Sequence, residues 1–162
     1  VTTSRVPAVI DYLVATFTAS ALLGAATPPV LIFDGPVATG APAQLALYVG
    51  LTDPDSTSVE TAADSAQVWA GLGHQARNEQ IVIHCVAEAW AGSDDIRTQR
   101  LAAYAITSAV EDIVRNDATL GNTVTVPGNA AVTAMTLSQN NTTDGTIARV
   151  SFEITAQARI GG

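Results

Sequence analysis

The chain has 162 residues, 48% of them hydrophobic, and a formal net charge of −8 in which every basic residue is an arginine. A single cysteine excludes a disulfide framework and a thiolate metal cluster. An acidic balance without a basic patch, together with 5% aromatic residues, excludes the electrostatic and stacking signatures of a nucleic-acid reader.

A chain of this length can remove roughly 70% of its unfolded surface from water, so one domain spanning 1–162 is expected. No apolar stretch reaches the length of a membrane span, which predicts a soluble protein without a membrane partner. The first thirty residues imitate a signal peptide, with Arg5 ahead of apolar residues, but Asp11 and a helical periodicity argue against one. An acidic surface repels a phosphate backbone; it suits plain solubility, and also a channel through which DNA slides without sticking.

In chain order, Ser4 can cap a first helix with Pro7 in its first turn, and Val6, Val9, Ile10, Leu13 and Phe17 share a face. Gly24 ends that helix, ahead of Pro28 and Pro29. Short strands are expected at 30–33 and 44–51, linked by a turn-rich arm holding Gly35, Pro36, Gly40 and Pro42. Residues 52–65 form an acidic loop carrying Asp53, Asp55, Glu60 and Asp64. The first two resemble the start of a calcium loop, but the motif's glycine and terminal glutamate are missing. The loop is either a solvated connection or a docking surface.

A strand over 66–72 carries Trp69, placed to close an edge of the core. Gly71, Gly73 and Ala76 match a dinucleotide fingerprint, yet that motif needs a helix after it and here a strand follows. From Glu79 to Trp90 the residues alternate, with Ile81, Ile83, Cys85, Ala87 and Ala89 on one side and Gln80, Val82, His84, Val86 and Glu88 on the other. Residues 92–95 supply a turn and a cap. A second amphipathic helix follows, with Ile96, Ala102, Ala103, Ile106, Ala109, Val110, Ile113 and Val114 as its stripe. Residues 117–122 read as a turn and 123–126 as a short strand. The chain closes with a hairpin over 131–160, reversing at Asp144-Gly145, in which Ala148, Val150, Phe152, Ile154, Ala156 and Ala158 face the core. The resulting fold class is α/β (α+β): a mostly antiparallel or mixed sheet with two amphipathic helices packed on it.

For chemistry the chain offers little. His74 and His84 are the only bases of the usual kind, His84 and Cys85 point to opposite faces of one strand, and no nucleophile elbow exists. No short His or Cys spacing specifies a metal, and Asp94 and Asp95 are explained by helix capping. Neither a catalytic residue nor a cofactor is expected. The second arm of the hairpin presents Arg149, Glu153 and Arg159 on its polar face, to water or to a neighbouring subunit's charges.

The order helix, several strands, long strand, helix, terminal hairpin, in a small acidic chain without lysine, resembles the tail terminator proteins of long-tailed bacteriophages. Local echoes are Gln67, Val68, Trp69, Ala70 and Gly71 leading through Arg77, Asn78 and Glu79 into the strand 81–89, then the helix 96–115 and the closing strand 147–160. The resemblance implies a virion protein, typically a ring of six subunits, at the head-proximal end of the tail tube. It would bind itself, the tail tube protein and a head completion or stopper protein, with DNA passing through unbound. Asp53, Asp55, Glu60 and Asp64 would then dock on the tube or line the lumen, and Arg149, Glu153 and Arg159 would meet a neighbouring subunit. The alternatives are another head-tail connector, such as a stopper or neck protein, or a small dimeric α/β binding domain; an enzyme comes third.

Overall fold

The computed structural model describes residues 2–38, 43–71, 75–124 and 130–161. The fold is mixed α+β: a six-stranded sheet with three helices packed against it. In chain order the elements are α1 (Val6–Thr18), α2 (Ala21–Gly24), β1 (Leu31–Asp34), β2 (Leu45–Val49), β3 (Ala63–Trp69), β4 (Arg77–Ala91), α3 (Ile96–Asn116), β5 (Ala131–Thr142) and β6 (Gly145–Ile160).

The long strand β4 is the spine of the sheet. One of its sides pairs with β6 along its whole length; the other is shared between β3, beside its first half, and β2, beside its second. Beyond β2 lies β1, the one parallel neighbour, and beyond β6 lies β5. The alternation in β4 and β6 fixes which face is dry. Ile81, Ile83, Cys85, Ala87 and Ala89 are buried, as are Ala148, Val150, Phe152, Ile154, Ala156 and Ala158, so both strands turn their small and branched residues toward the helices. Val9, Leu13 and Phe17 of α1 cover this face, with Ala103, Ile106, Val110 and Val114 of α3 beside them. Asp95 caps α3 by accepting from the Thr98 amide at 3.1 Å.

Several sequence expectations are corrected. The first helix ends at Thr18, and Gly24 instead closes the separate short helix α2, which Ser20 caps. Its N-cap is Arg5 rather than Ser4. The reason is Glu79, buried on the helix-facing side of β4, which accepts from the Arg5 amide at 2.8 Å and from the Ser4 hydroxyl. Its negative charge sits where the helix dipole favours one. Strand β3 runs from Ala63 to Trp69, so Asp64 belongs to a strand and not to the loop. Trp69 closes no core edge: 71% of it is exposed.

The hairpin reverses one residue earlier than Asp144-Gly145. Thr142 pairs with Gly145, which leaves Thr143 and Asp144 as the loop and puts Asn140 and Asn141 inside β5. Gly145 has φ +145, and a Cβ there would lie 2.3 Å from the Ala91 carbonyl oxygen, so its glycine serves close approach to β4. Residues 117–122 form the predicted turn, which runs on through Thr123; positions 125 and 126 of the strand expected at 123–126 lie outside the described residues, as do Gly73, His74, Gly40 and Pro42.

Candidate functional site

The face of the sheet turned away from the helices carries the even-numbered residues of β4 and the odd-numbered residues of β6. Its half nearest β2 is roofed by the loop between β2 and β3. The loop's ends meet at one residue: the Leu51 amide donates to the His84 carbonyl at 3.2 Å, and the His84 amide donates to the Ala62 carbonyl at 3.1 Å. This makes an Ω-shaped excursion with a closed neck.

Glu60 ties the neck from inside, accepting from the Thr52 amide at 3.1 Å, the Asp53 amide at 3.0 Å and the Thr52 hydroxyl. Asp53 in turn accepts from the Asp55 amide at 2.9 Å, a local Asx turn. The tip is held down by a fork of two bonds from Arg149, to Asp55 Oδ2 at 2.7 Å and Oδ1 at 2.9 Å. On its other side Arg149 donates through Nε to Glu88 at 2.6 Å, and Asp53 stands 4.0 Å away. Burial works against the charge of Arg149, but the bonds to Asp55 and Glu88 outweigh it and hold its pKa above the ordinary arginine value. The Arg149 bond in turn holds the Asp55 carboxyl below the usual range.

A second cluster crosses three strands. His84 Nε2 lies 2.8 Å from Asp64 Oδ2 on β3, and its Nδ1 lies 3.7 Å from Glu153 on β6. These are cross-strand neighbours on one face. A cleft of ≈ 210 Å³ opens beside them, lined by Thr52, His84, Ser151 and Glu153 among others. With a carboxylate facing each ring nitrogen, His84 is placed as a tether between strands; a base for nucleophilic catalysis needs one nitrogen on the nucleophile. Cys85 points into the core, where burial raises its thiol to about 12, far from a reactive thiolate.

The residues expected in two separate roles therefore converge. Asp53 and Asp55 meet Arg149, and Asp64 and Glu153 each meet His84, while Glu60 faces inward to the loop's own backbone. Arg159 lies at the far end of β6, opposite Asn78 of β4 and away from this cluster. Sequence reasoning missed Glu88 as the partner of Arg149. The alternation that put both on the outer face was the available signal, since the two become directly opposed once β4 and β6 pair.

The Glu60 knot predicts a pH response. The Thr52 hydroxyl, then the Ser56 hydroxyl and the Asp53 and Thr52 amides, bring the Glu60 carboxyl down to about 2. A depressed carboxylate contributes order that is fully present above its ordinary value of 4.5 and is lost as pH falls through about 2. The Thr52 and Asp53 amide resonances should therefore titrate well below pH 4, and Glu60→Gln should remove the step. A midpoint at the ordinary glutamate value would show the knot to be open in solution.

Among the described residues no three metal-ligating side chains converge, and no helix is long and apolar enough to cross a membrane. No family model matches the chain, and no curated protein matches it in sequence.

Proposed function

We propose that the chain is a structural subunit of a long-tailed bacteriophage virion, a ring-forming tail terminator that caps the head-proximal end of the tail tube and joins it to the head. Its work is done by surfaces, without a cofactor or bond-making chemistry. It binds further copies of itself, the last ring of the tube and a head completion protein, and an acidic lumen lets DNA pass. Growth stops by mass action, because a ring complementary to the tube end that offers no further tube-binding face blocks addition.

The observation that carries this reading is the Ω-loop. A solvated connection needs no internal order, yet this one is knotted at its neck by Glu60, pinned at its tip by Arg149, and holds Val59 at 99% exposure. An ordered loop offers a defined shape to a partner, and Val59 is the apolar side chain such a contact would cover. In the proposed ring that partner is the tube.

The test is Val59→Asp, at a side chain that makes none of the bonds of the knot or the fork. Subunits should fold and melt as before, while tails assembled with the variant should be overlong and uncapped in electron micrographs. Tails of normal length with normal infectivity would remove the loop from the docking surface.

A further inference from the structure

Among the described residues three strands border the sheet, β1, β3 and β5, and natural proteins guard such edges with shortness, charge, proline or bulges; β1 is only four residues long and ends in Asp34. Strand β3 has neither proline nor bulge. Its seven residues pair without interruption along β4, and its one charge, Asp64, is engaged by His84. It is exposed on both faces, with Val68 at 64% and Trp69 at 71%. Strand β5 contains no charged residue in a chain where 14% of residues are charged. A bulge between Thr133 and Thr136 guards its first part, but 136–142 runs regularly and matches β3 in length.

We propose that β3 of one copy pairs with β5 of a second copy, head to tail, so that the sheets of successive subunits join. This deepens the ring reading by assigning its contact. Three successive antiparallel pairings, β3 with β4, β4 with β6 and β6 with β5, leave β3 and β5 running in opposite directions. Rotation about an axis lying roughly along the strands preserves direction, so the β5 of one subunit meets the next β3 as an antiparallel partner. The two stretches sit toward opposite ends of the strands, because β3 lies beside 77–83 and 136–142 lies beside 145–151. The joined strands must then tilt against the ring axis, as closed sheets do. A two-fold contact, β3 on β3, would leave every β5 open; the head-to-tail contact covers β3 and β5 with one interface. Neither edge brings like charges together, and the pairing gives Val68 and Trp69 cross-strand neighbours on the two faces.

Two variants of the full chain test this by sedimentation velocity and native mass spectrometry, with circular dichroism and melting as the check on folding. Ala66→Lys with Val68→Lys guards β3; Thr136→Lys with Asn140→Lys guards β5. Wild type should form closed oligomers, and each variant alone should lose them. Mixing the two should restore a single two-chain species and nothing larger, since each keeps one open edge. A monomeric wild type at the highest soluble concentration, or guarded variants that assemble like wild type, would overturn the proposal. So would a β5-guarded chain that dimerises alone.

If a lysine pair unfolds its chain, Val68→Cys and Asn140→Cys mixed with a short bismaleimide carry the test. A Val68–Asn140 crosslink between chains supports the pairing, whereas only like-to-like crosslinks, or none, overturn it. Rings that form through these edges but fail to arrest tube growth would leave the pairing standing and refute the tail reading. Tubes still capped by the β3-guarded variant would do the reverse.

Discussion

Truncating Phe152 to alanine should cost about 3 to 5 kcal/mol, the range for deleting a buried phenyl ring, and lower the melting temperature on the order of 10 °C. Phe152 is 2% exposed at the middle of β6, paired with Cys85 of β4, where it belongs to the core between sheet and helices. Strand β4 holds β6 on one side there, while β5 bulges past Phe152 between Thr133 and Thr136, so the site can partly collapse around the missing ring and the middle of the range is expected. Thermal and urea melts read the effect. An unchanged melting profile would mean that β6 presents Phe152 to the outer face, and that the register of the hairpin is wrong by one residue.

Replacing Arg149 by alanine should cost about 3 kcal/mol, and the size of the loss comes from Glu88. The Glu88 side chain is only 11% exposed, so removing the cation leaves a carboxylate facing the sheet with little water to take the place of the Nε bond. Asp55, at 73% side-chain exposure, recovers hydration when it is released, and its share should be about 0 to 1 kcal/mol. Double-mutant cycles separate the two: coupling of Arg149 to Glu88 should be several times larger than coupling of Arg149 to Asp55. Arg149→Lys should rescue poorly, since an ammonium cannot form the fork to Asp55 and still reach Glu88. Equal coupling to both carboxylates would show that the loop, and not the sheet, provides the anchor.

The parity of β4 and β6 was legible because one face of each is dry along its length, and a period of two survives wherever burial is one-sided. The stripe of α3 was legible for the same reason. What escaped was decided across long separations. Arg149 and Asp55 stand 94 positions apart, and an arginine on a polar face looks alike whether it meets water, a neighbour or its own chain's loop.

Glu79 lies in phase with Ile81 and Ile83, but a carboxylate interrupts an apolar alternation, and it was not assigned to the dry face. What the alternation could not supply was the acceptor role that makes its burial tolerable, since the donors Ser4, Arg5 and Gln67 come from α1's approach and from β3. Trp69 was expected at a core edge because large rings usually bury, but β3 lies on the margin of the sheet, and its exposure is a property of topology. Asp64 was assigned to the loop on polarity alone. An edge strand tolerates polarity because its backbone pairing with β4, and not side-chain burial, holds it.

The claim that these surfaces end a tube is tested most directly by adding the purified chain to tail tube protein during polymerisation and imaging the products by cryo-electron microscopy. The account predicts tubes whose mean length falls as the chain is added, each closed at one end by a ring of this protein with the Ω-loops turned toward the tube. Tubes of unaltered length with bare ends, at a concentration of the chain exceeding that of tube ends, would contradict it.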